Sequence, residues 1–321
     1  MLLAGDVGGT KALLGLFERG TTRPLPLFVH AYATGQFDSF DALLNAFTVD
    51  ACRPLHVEAV AIGVAGPVIS GIARLTNGAW AVHAEKMAAR CRTSRVALLN
   101  DVSALAACVP VLADDELEIL QDGTPDPEGN AVVIAAGTGL GEATLHRVRG
   151  TLVPLSSEGG HADFGPRSDR EVELVRRLLE ERGRVEDEQV VSGVGLTHFY
   201  RLTHTSAPCP IVDRVTPNPA AVTESAMAGR CPFCVEALDL FVSAYGSSAG
   251  NLALQGVATA GVFVGGGIAL KILQLLRRGG FMKAFRDKPP MTGLLTRMPV
   301  KVIVNPEAGL CGAAVVAASL A

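Results

Sequence analysis

The chain has 321 residues, 49% of them hydrophobic and 19% charged. That is enough for two ordinary domains with substantial cores and too apolar for extended disorder. A net charge of −4, with acids and bases interspersed, excludes a nucleic-acid footprint. Seven cysteines scattered from 52 to 311 are an odd number and exclude a disulfide framework, so they read as reduced, mostly buried thiols.

The chain opens on Leu2-Leu3-Ala4 with no basic n-region and no room for a signal peptide, which predicts a cytoplasmic protein. Leu2 to Val7 and Ala12 to Phe17 are apolar runs around Gly8-Gly9, a hairpin signal. Phe40, Leu43, Leu44 and Phe47 have helical spacing, with Asp38 or Ser39 available as N-cap. Val57 to Val64 predicts a buried strand ending at Gly66-Pro67, and Val96 to Leu99 another, leading into Asn100-Asp101. The acidic, Pro- and Gly-containing segment Gln121 to Asn130 is a loop close to a domain boundary. Ala131 to Ala136 and Ala143 to Val148 form a second hairpin around Gly137-Thr138-Gly139-Leu140-Gly141. Ser168-Asp169-Arg170-Glu171 is a capping box opening a helix to about Glu181, with Val172, Val175 and Leu178-Leu179 expected on the buried face.

Pro208, Pro210, Pro217 and Pro219 punctuate a loop before the next helix. No charge falls between Asp239 and Lys271, but serines, Asn251, Gln255 and several glycines interrupt the stretch. It predicts a buried helix and strand rather than a membrane span. Val262 to Val264 then leads into Gly265-Gly266-Gly267 and a helix over Ile268–Leu276, before a strand at Val300–Val304 and a small-residue helix from about Gly309. A strand–turn–strand opening followed by alternating helices and strands occurs twice, which predicts two related α/β lobes.

The two glycine turns suit an anion, because backbone N–H groups without intervening side chains can approach it and Thr10 and Thr138 add hydroxyl donors. No Gly-Lys-Ser/Thr or G-x-G-x-x-G sequence is present, and either turn alone fits a plain hairpin needing positive φ. Asp6 shifts the balance. A carboxylate beside a phosphate turn repels the ligand unless a divalent cation lies between them, so Asp6 fits Mg²⁺ positioning through water. Lys11 reads either as added charge or as a surface residue. Asp101 lies where α/β sites form, at a strand end, with a helix N-cap as its structural alternative; Asn100 and Ser103 can share that capping. Glu158-Gly159-Gly160-His161 joins an acid and an imidazole, suited to metal ligation or to vicinal hydroxyls, and sugar contact is favoured. Cys231-Pro232-Phe233-Cys234 is half a zinc site, and with no second pair a structural role is favoured. Gly246-Ser247-Ser248-Ala249-Gly250 matches the hydrolase elbow, but no histidine follows His204, which excludes that reading.

Gly5-Asp6-Val7-Gly8-Gly9-Thr10, Leu99-Asn100-Asp101, Gly137 to Gly141, Glu158 to Phe164 and Ser192-Gly193-Val194-Gly195-Leu196 follow an order and spacing that resembles the bacterial ATP-dependent glucokinases, of the hexokinase/actin/Hsp70 superfamily. The resemblance spans nearly the whole chain. It implies a two-domain α/β fold of the ribonuclease H-like, actin-like ATPase type with an interdomain cleft, built from a small domain (1–111 and 302–321) and a large one (112–301). It implies phosphorylation of glucose at the 6-hydroxyl by ATP, with Asp101 as general base. Asn77, Asn100, Glu158, His161 and Glu188 would hold the hexose. Gly8, Gly9, Thr10, Gly137 and Thr138 would meet ATP phosphates, Gly265, Gly266 and Gly267 would border the adenosine, and Asp6 would face Mg²⁺. Homodimers are usual in the family. Lys11 stands where the nearest relatives tend to have asparagine. The related repressor/open-reading-frame/kinase family favours a threonine-lysine pair but carries a cysteine-rich zinc motif soon after the histidine, which this chain lacks. The alternatives are a kinase for fructose, mannose or an amino sugar, and a non-catalytic actin-like nucleotide- or sugar-sensing regulator.

Overall fold

The computed structural model describes residues 1–52, 56–76, 80–205, 209, 212, 213 and 215–321. Asn77, Pro208 and Pro210 lie outside them. The chain divides into two compact units, Met1–Leu117 with Val153–Ser156 and Asn305–Ala321, and Glu118–Leu152 with Ser157–Val304.

In the first unit, β1 (Leu2–Val7), β2 (Lys11–Glu18) and β3 (Leu25–Ala33) precede α1 (Phe40–Asp50) and β4 (Ala59–Val64). Short strands β5 (Val68–Ile69), β6 (Ile72–Arg74) and β7 (Ala81–His83) make a small sheet, followed by α2 (Ala84–Cys91), β8 (Val96–Asn100) and α3 (Asp101–Cys108). The main sheet runs β3-β2-β1-β4-β8; β1 pairs antiparallel with β2 and parallel with β4, which pairs parallel with β8. Because side chains alternate along a strand, β1 feeds two cores. Leu3 and Val7 join Phe40, Leu43, Leu44 and Phe47 of α1 on one face. Leu2 and Ala4 join Ala104 of α3 and the C-terminal helix on the other.

The chain continues from β9 (Leu117–Gln121) through β10 (Ala131–Ala136), β11 (Leu140–Val148), β12 (Thr151–Ser157), of which Val153–Ser156 belongs to the first unit, and then α4 (Asp169–Arg182), α5 (Gly193–Thr203), α6 (Pro219–Met227) and α7 (Pro232–Gly256). Then follow β13 (Gly261–Gly265), α8 (Gly266–Lys271), α9 (Leu273–Leu276), α10 (Gly280–Arg286), α11 (Thr292–Arg297) and β14 (Val300–Ile303). The sheet order is β12-β11-β10-β13-β14-β9, with β10 antiparallel to β11 and parallel to β13, and β13 parallel to β14. The first five strands thus repeat the order of the other sheet, the duplication expected of this α/β class. Val132, Ile134, Val262 and Val264 of the sheet pack with Phe199 and Tyr200 of α5 and Phe241 and Tyr245 of α7. No helix among the described residues is long and apolar enough to cross a membrane.

Two sequence expectations change. In α4 the buried positions are Glu171, Leu174 and Leu178, whereas Val172 and Leu179 are exposed. The inward stripe starts at the capping acid: Glu171 turns in to accept the Arg167 N–H at 2.5 Å, and Leu174 and Leu178 follow at i+3 and i+7. The helix expected over 268–276 breaks at Ile272 into α8 and α9.

The chain closes on α12 (Ala308–Leu320), an Ala- and Gly-rich helix against α3. A Cβ at Gly312 would lie 1.7 Å from the Ala104 carbonyl oxygen, so the two helix backbones meet there. Gly312→Ala is expected to destabilise the protein by about 2–3 kcal/mol through overpacking against backbone, measured by urea denaturation; wild-type stability would mean the helices separate at no cost.

Candidate active site

In the first unit, parallel register brings the C-terminal strand ends together: Asp6 pairs with Gly63 and Gly63 with Leu99, while Val7 pairs with Val64 and Val64 with Asn100. Such strand ends are where open α/β sheets bind ligands. Gly63 permits the close approach of α3, since a Cβ there would sit 2.9 Å from that of Ala104 and 3.8 Å from the Asp101 Cα. Asp6 and Asp101, far apart in sequence, become electrostatic neighbours. Burial, and then repulsion from Asp101, raise the Asp6 carboxyl to about 6, while Lys11 pulls it back down. Lys11 is exposed yet close enough to matter electrostatically.

Asn100 is the N-cap of α3 and its Oδ1 accepts the Val102 N–H at 2.9 Å; Asp101 Oδ1 accepts the same N–H at 2.9 Å. The capping is therefore shared by Asn100 and Asp101, whereas the buried Ser103 hydroxyl has no partner among the described residues. Asp6 also faces α12, where a Cβ at Gly309 would lie 2.5 Å from Asp6 Oδ2. Two neighbouring carboxylates, one of them desolvated, are hard oxygen donors with excess negative charge, and they fit Mg²⁺.

The first glycine turn closes with the Gly8 N–H donating to the Lys11 carbonyl at 2.9 Å. Thr34 anchors it, the hydroxyl donating to the Gly8 carbonyl at 2.9 Å and the N–H to that of Thr10 at 3.0 Å. Sequence reasoning passed over Thr34, which lies beyond an unpredicted strand. Gly8, Gly9, Gly137 and Gly139 are all absent from the positive-φ residues, so a hairpin's need for left-handed backbone does not explain them. Among the described residues, a Cβ at Gly8 would touch only the Lys11 carbonyl, at 3.2 Å, and one at Gly137 would touch nothing within 4 Å. Among the described residues no conformational or packing demand removes the side chain at Gly137, which leaves an open backbone for a ligand. Gly267 is equally open, but Gly266 is structural, with φ of +85° and the Ala136 backbone 2.4 Å from its Cβ position. Parallel pairing of Ala135 with Gly265 sets both glycine segments at the same edge of the second sheet.

The remaining predicted residues gather beside that second turn. Gly193 N–H donates to the Gly137 carbonyl at 2.9 Å, so the start of α5 holds the turn. The Leu140 N–H donates to Glu188 Oε2 at 2.9 Å, and a Cβ at Gly139 would come within 2.3 Å of that oxygen. Gly160 lies on the Leu140 carbonyl, 2.2 Å from its Cβ position, which seats the Glu158–His161 turn on β11. His161 Nδ1 is 3.2 Å from Glu186 Oε1, and one ligand atom each of His161, Glu186 and Glu188 lies within 4.8 Å of the others. Glu186 is the residue that sequence reasoning missed here, although it stands in the same acidic run as Glu188.

Beneath the turn lies Glu142, whose Oε2 would be 2.2 Å from a Cβ at Gly159. Burial, helped by the charge of Asp187, raises its carboxyl to about 7. An unfolded glutamate titrates near ~4.3, so between there and about 7 the folded chain keeps a proton that the unfolded chain has released. Stability from this group is therefore full below the lower value and falls as pH rises through the upper one. Glu142→Gln is expected to raise stability near pH ~8 by on the order of 2–3 kcal/mol and to flatten the decline between about pH 5 and 7. Denaturant melts across that range check it, and an unchanged pH slope would contradict it.

The glucokinase family profile matches residues 3–320. A glucokinase of Nostoc sp. is 36% identical over 340 residues, spanning 100% of this chain and 99% of its own. Among solved structures, glucokinase from an Antarctic psychrotroph superposes with a TM-score of 0.86 at 27% identity, over 99% of this chain and 98% of that one. Glucokinase from Balamuthia mandrillaris, solved with glucose, shares the fold with a TM-score of 0.80 at 20% identity, over 98% and 93%. The chain belongs to the glucokinase family.

Proposed function

We propose that this protein transfers the γ-phosphoryl group of ATP to the 6-hydroxyl of glucose, giving glucose 6-phosphate and ADP. The observation that carries the reading is Asp101, at the C-terminal end of a parallel strand and within electrostatic reach of Asp6, which leads into the Gly8-Gly9 turn, in a glucokinase-family chain.

Asp101 accepts the proton as glucose O6 attacks the γ-phosphorus; the O6–phosphorus bond forms and the bond to the bridging oxygen breaks, its electron pair leaving with ADP. Asn100, Glu158, His161 and Glu188 hold the sugar hydroxyls, and Asn77, outside the described residues, belongs to the same set. Glu186 orients the His161 ring through its Nδ1 contact. The backbone of Gly8, Gly9, Thr10, Gly137 and Thr138 receives the phosphates, and Gly265, Gly266 and Gly267 border the adenosine. Asp6 is the residue that would hold Mg²⁺, and the ion would offset phosphate charge. Water competes with O6 as acceptor, so productive binding must exclude it. The domain limits 1–111 with 302–321 and 112–301, a cytoplasmic location and a homodimeric state belong to the same proposal.

A coupled assay with glucose, ATP and Mg²⁺, reading glucose 6-phosphate formation, tests it. Product formation is expected. Phosphorylation of fructose, mannose or an amino sugar with glucose ignored would reassign the substrate, and nucleotide binding with no sugar-dependent ATP consumption would make the protein a regulator.

A further inference from the structure

We propose that His204, Cys209, Cys231 and Cys234 form a structural zinc site in the second unit, tying the end of α5 to the start of α7. His204 is the C-cap of α5, Cys231 is the N-cap of α7, and Cys234 follows in the first turn of α7. All four side chains are buried, with relative exposures of 0, 9, 4 and 0% in that order. One ligand atom from each lies within 4.8 Å of the others.

The separations match a coordination polyhedron. His204 Nε2 is 3.4 Å from Cys231 Sγ and 3.8 Å from Cys234 Sγ, and Cys209 Sγ is 3.9 Å from Cys234 Sγ. Ligand bonds of about 2.05 Å to nitrogen and about 2.3 Å to sulfur, at the tetrahedral angle, give edges of about 3.6 Å for N···S and about 3.8 Å for S···S. A disulfide, with its bond of about 2.05 Å, is far from the observed sulfur spacing.

The histidine is prepared for the task. Its Nδ1 is 2.8 Å from the Tyr200 carbonyl, which fixes the proton on Nδ1 and turns the Nε2 lone pair toward the sulfurs. Tyr200 stacks on the ring at a centroid distance of 3.9 Å and limits its rotation. Three thiolates and one imidazole in a tetrahedron are the donor set of zinc, and four protein ligands leave no open position for catalysis. The function is mechanical. The opposite end of α5 donates to the Gly137 carbonyl of the second glycine turn, so the metal anchors the far end of the helix that positions that turn.

The test reads metal rather than sugar phosphorylation, so it stands apart from the kinase reading. The full-length chain, kept reduced and stripped of metal, is titrated with Zn²⁺ against a chromophoric chelator and, separately, with Co²⁺ under absorption. Binding of one zinc per chain is expected, with nanomolar or tighter affinity on the order typical of structural sites. The cobalt form should show thiolate-to-metal charge transfer and the intense visible bands of a tetrahedral ion. Cys209→Ser and Cys231→Ser should each weaken zinc binding by at least about 100-fold. Where either variant fails to fold, the wild-type titrations decide. Weak binding by the reduced wild type, an octahedral cobalt spectrum, or zinc retained in folded cysteine variants would overturn the proposal; the last outcome would move the metal to His161, Glu186 and Glu188.

Discussion

Asp101→Asn should lower kcat by about 10²–10⁴-fold, the range lost with a general base, while the glucose and ATP KM values change little. The variant suits the purpose because the fold keeps its contacts. An asparagine oxygen can still accept the Val102 N–H, and Asn100 supplies a second acceptor to the same donor. Removing the charge also relieves the repulsion that helps raise Asp6, so any loss of turnover cannot come from a harsher electrostatic environment there. Steady-state kinetics alongside circular dichroism check the result. A kcat close to wild type in a folded variant would remove Asp101 from the chemistry.

The second large effect is expected at the sugar contacts. Glu158→Gln and His161→Ala should each raise the glucose KM by about 10–100-fold, corresponding to the loss of one or two charge-assisted hydrogen bonds. The ATP KM should stay within about twofold, because uniform binding energy to the sugar is what is lost. Both residues stand on the surface of their unit, on a short turn seated on β11, so neither substitution opens a core. A change confined to the ATP KM would contradict their assignment to the sugar.

Much of the scaffold was visible in the residues. The runs at Leu2–Val7, Ala59–Val64, Ala131–Ala136 and Gly261–Gly265 are buried strands, and continuous apolarity bounded by glycine marks such strands clearly. β3 escaped because most of it is exposed and Pro26 sits in it, so neither alternation nor an apolar run marks this strand at the sheet edge. The α4 face was misjudged because a capping carboxylate, normally a surface residue, supplies the first buried position.

At the candidate site, Asp6, Asp101 and both glycine turns were legible as local motifs. That Asp6 and Asp101 become neighbours was not, since it depends on strand register and on Gly63 admitting α3 within the first unit. Glu186 was missed because its relation to His161 arises only when two separate short turns meet. The Cys231–Cys234 pair read as half a metal site for the same reason. His204 and Cys209 precede it by 27 and 22 residues, and only the packing of α5 on α7 closes that gap.

A structure of the protein with glucose and a non-hydrolysable ATP analogue tests Asp101 as the general base, through the distance from its carboxylate to the sugar O6. Hydrogen-bond contact, about 2.6–3.2 Å, is expected, with the γ-phosphate group facing the same oxygen. A sugar bound elsewhere, or an O6 contacted by another base while Asp101 serves only the α3 N-terminus, would contradict it.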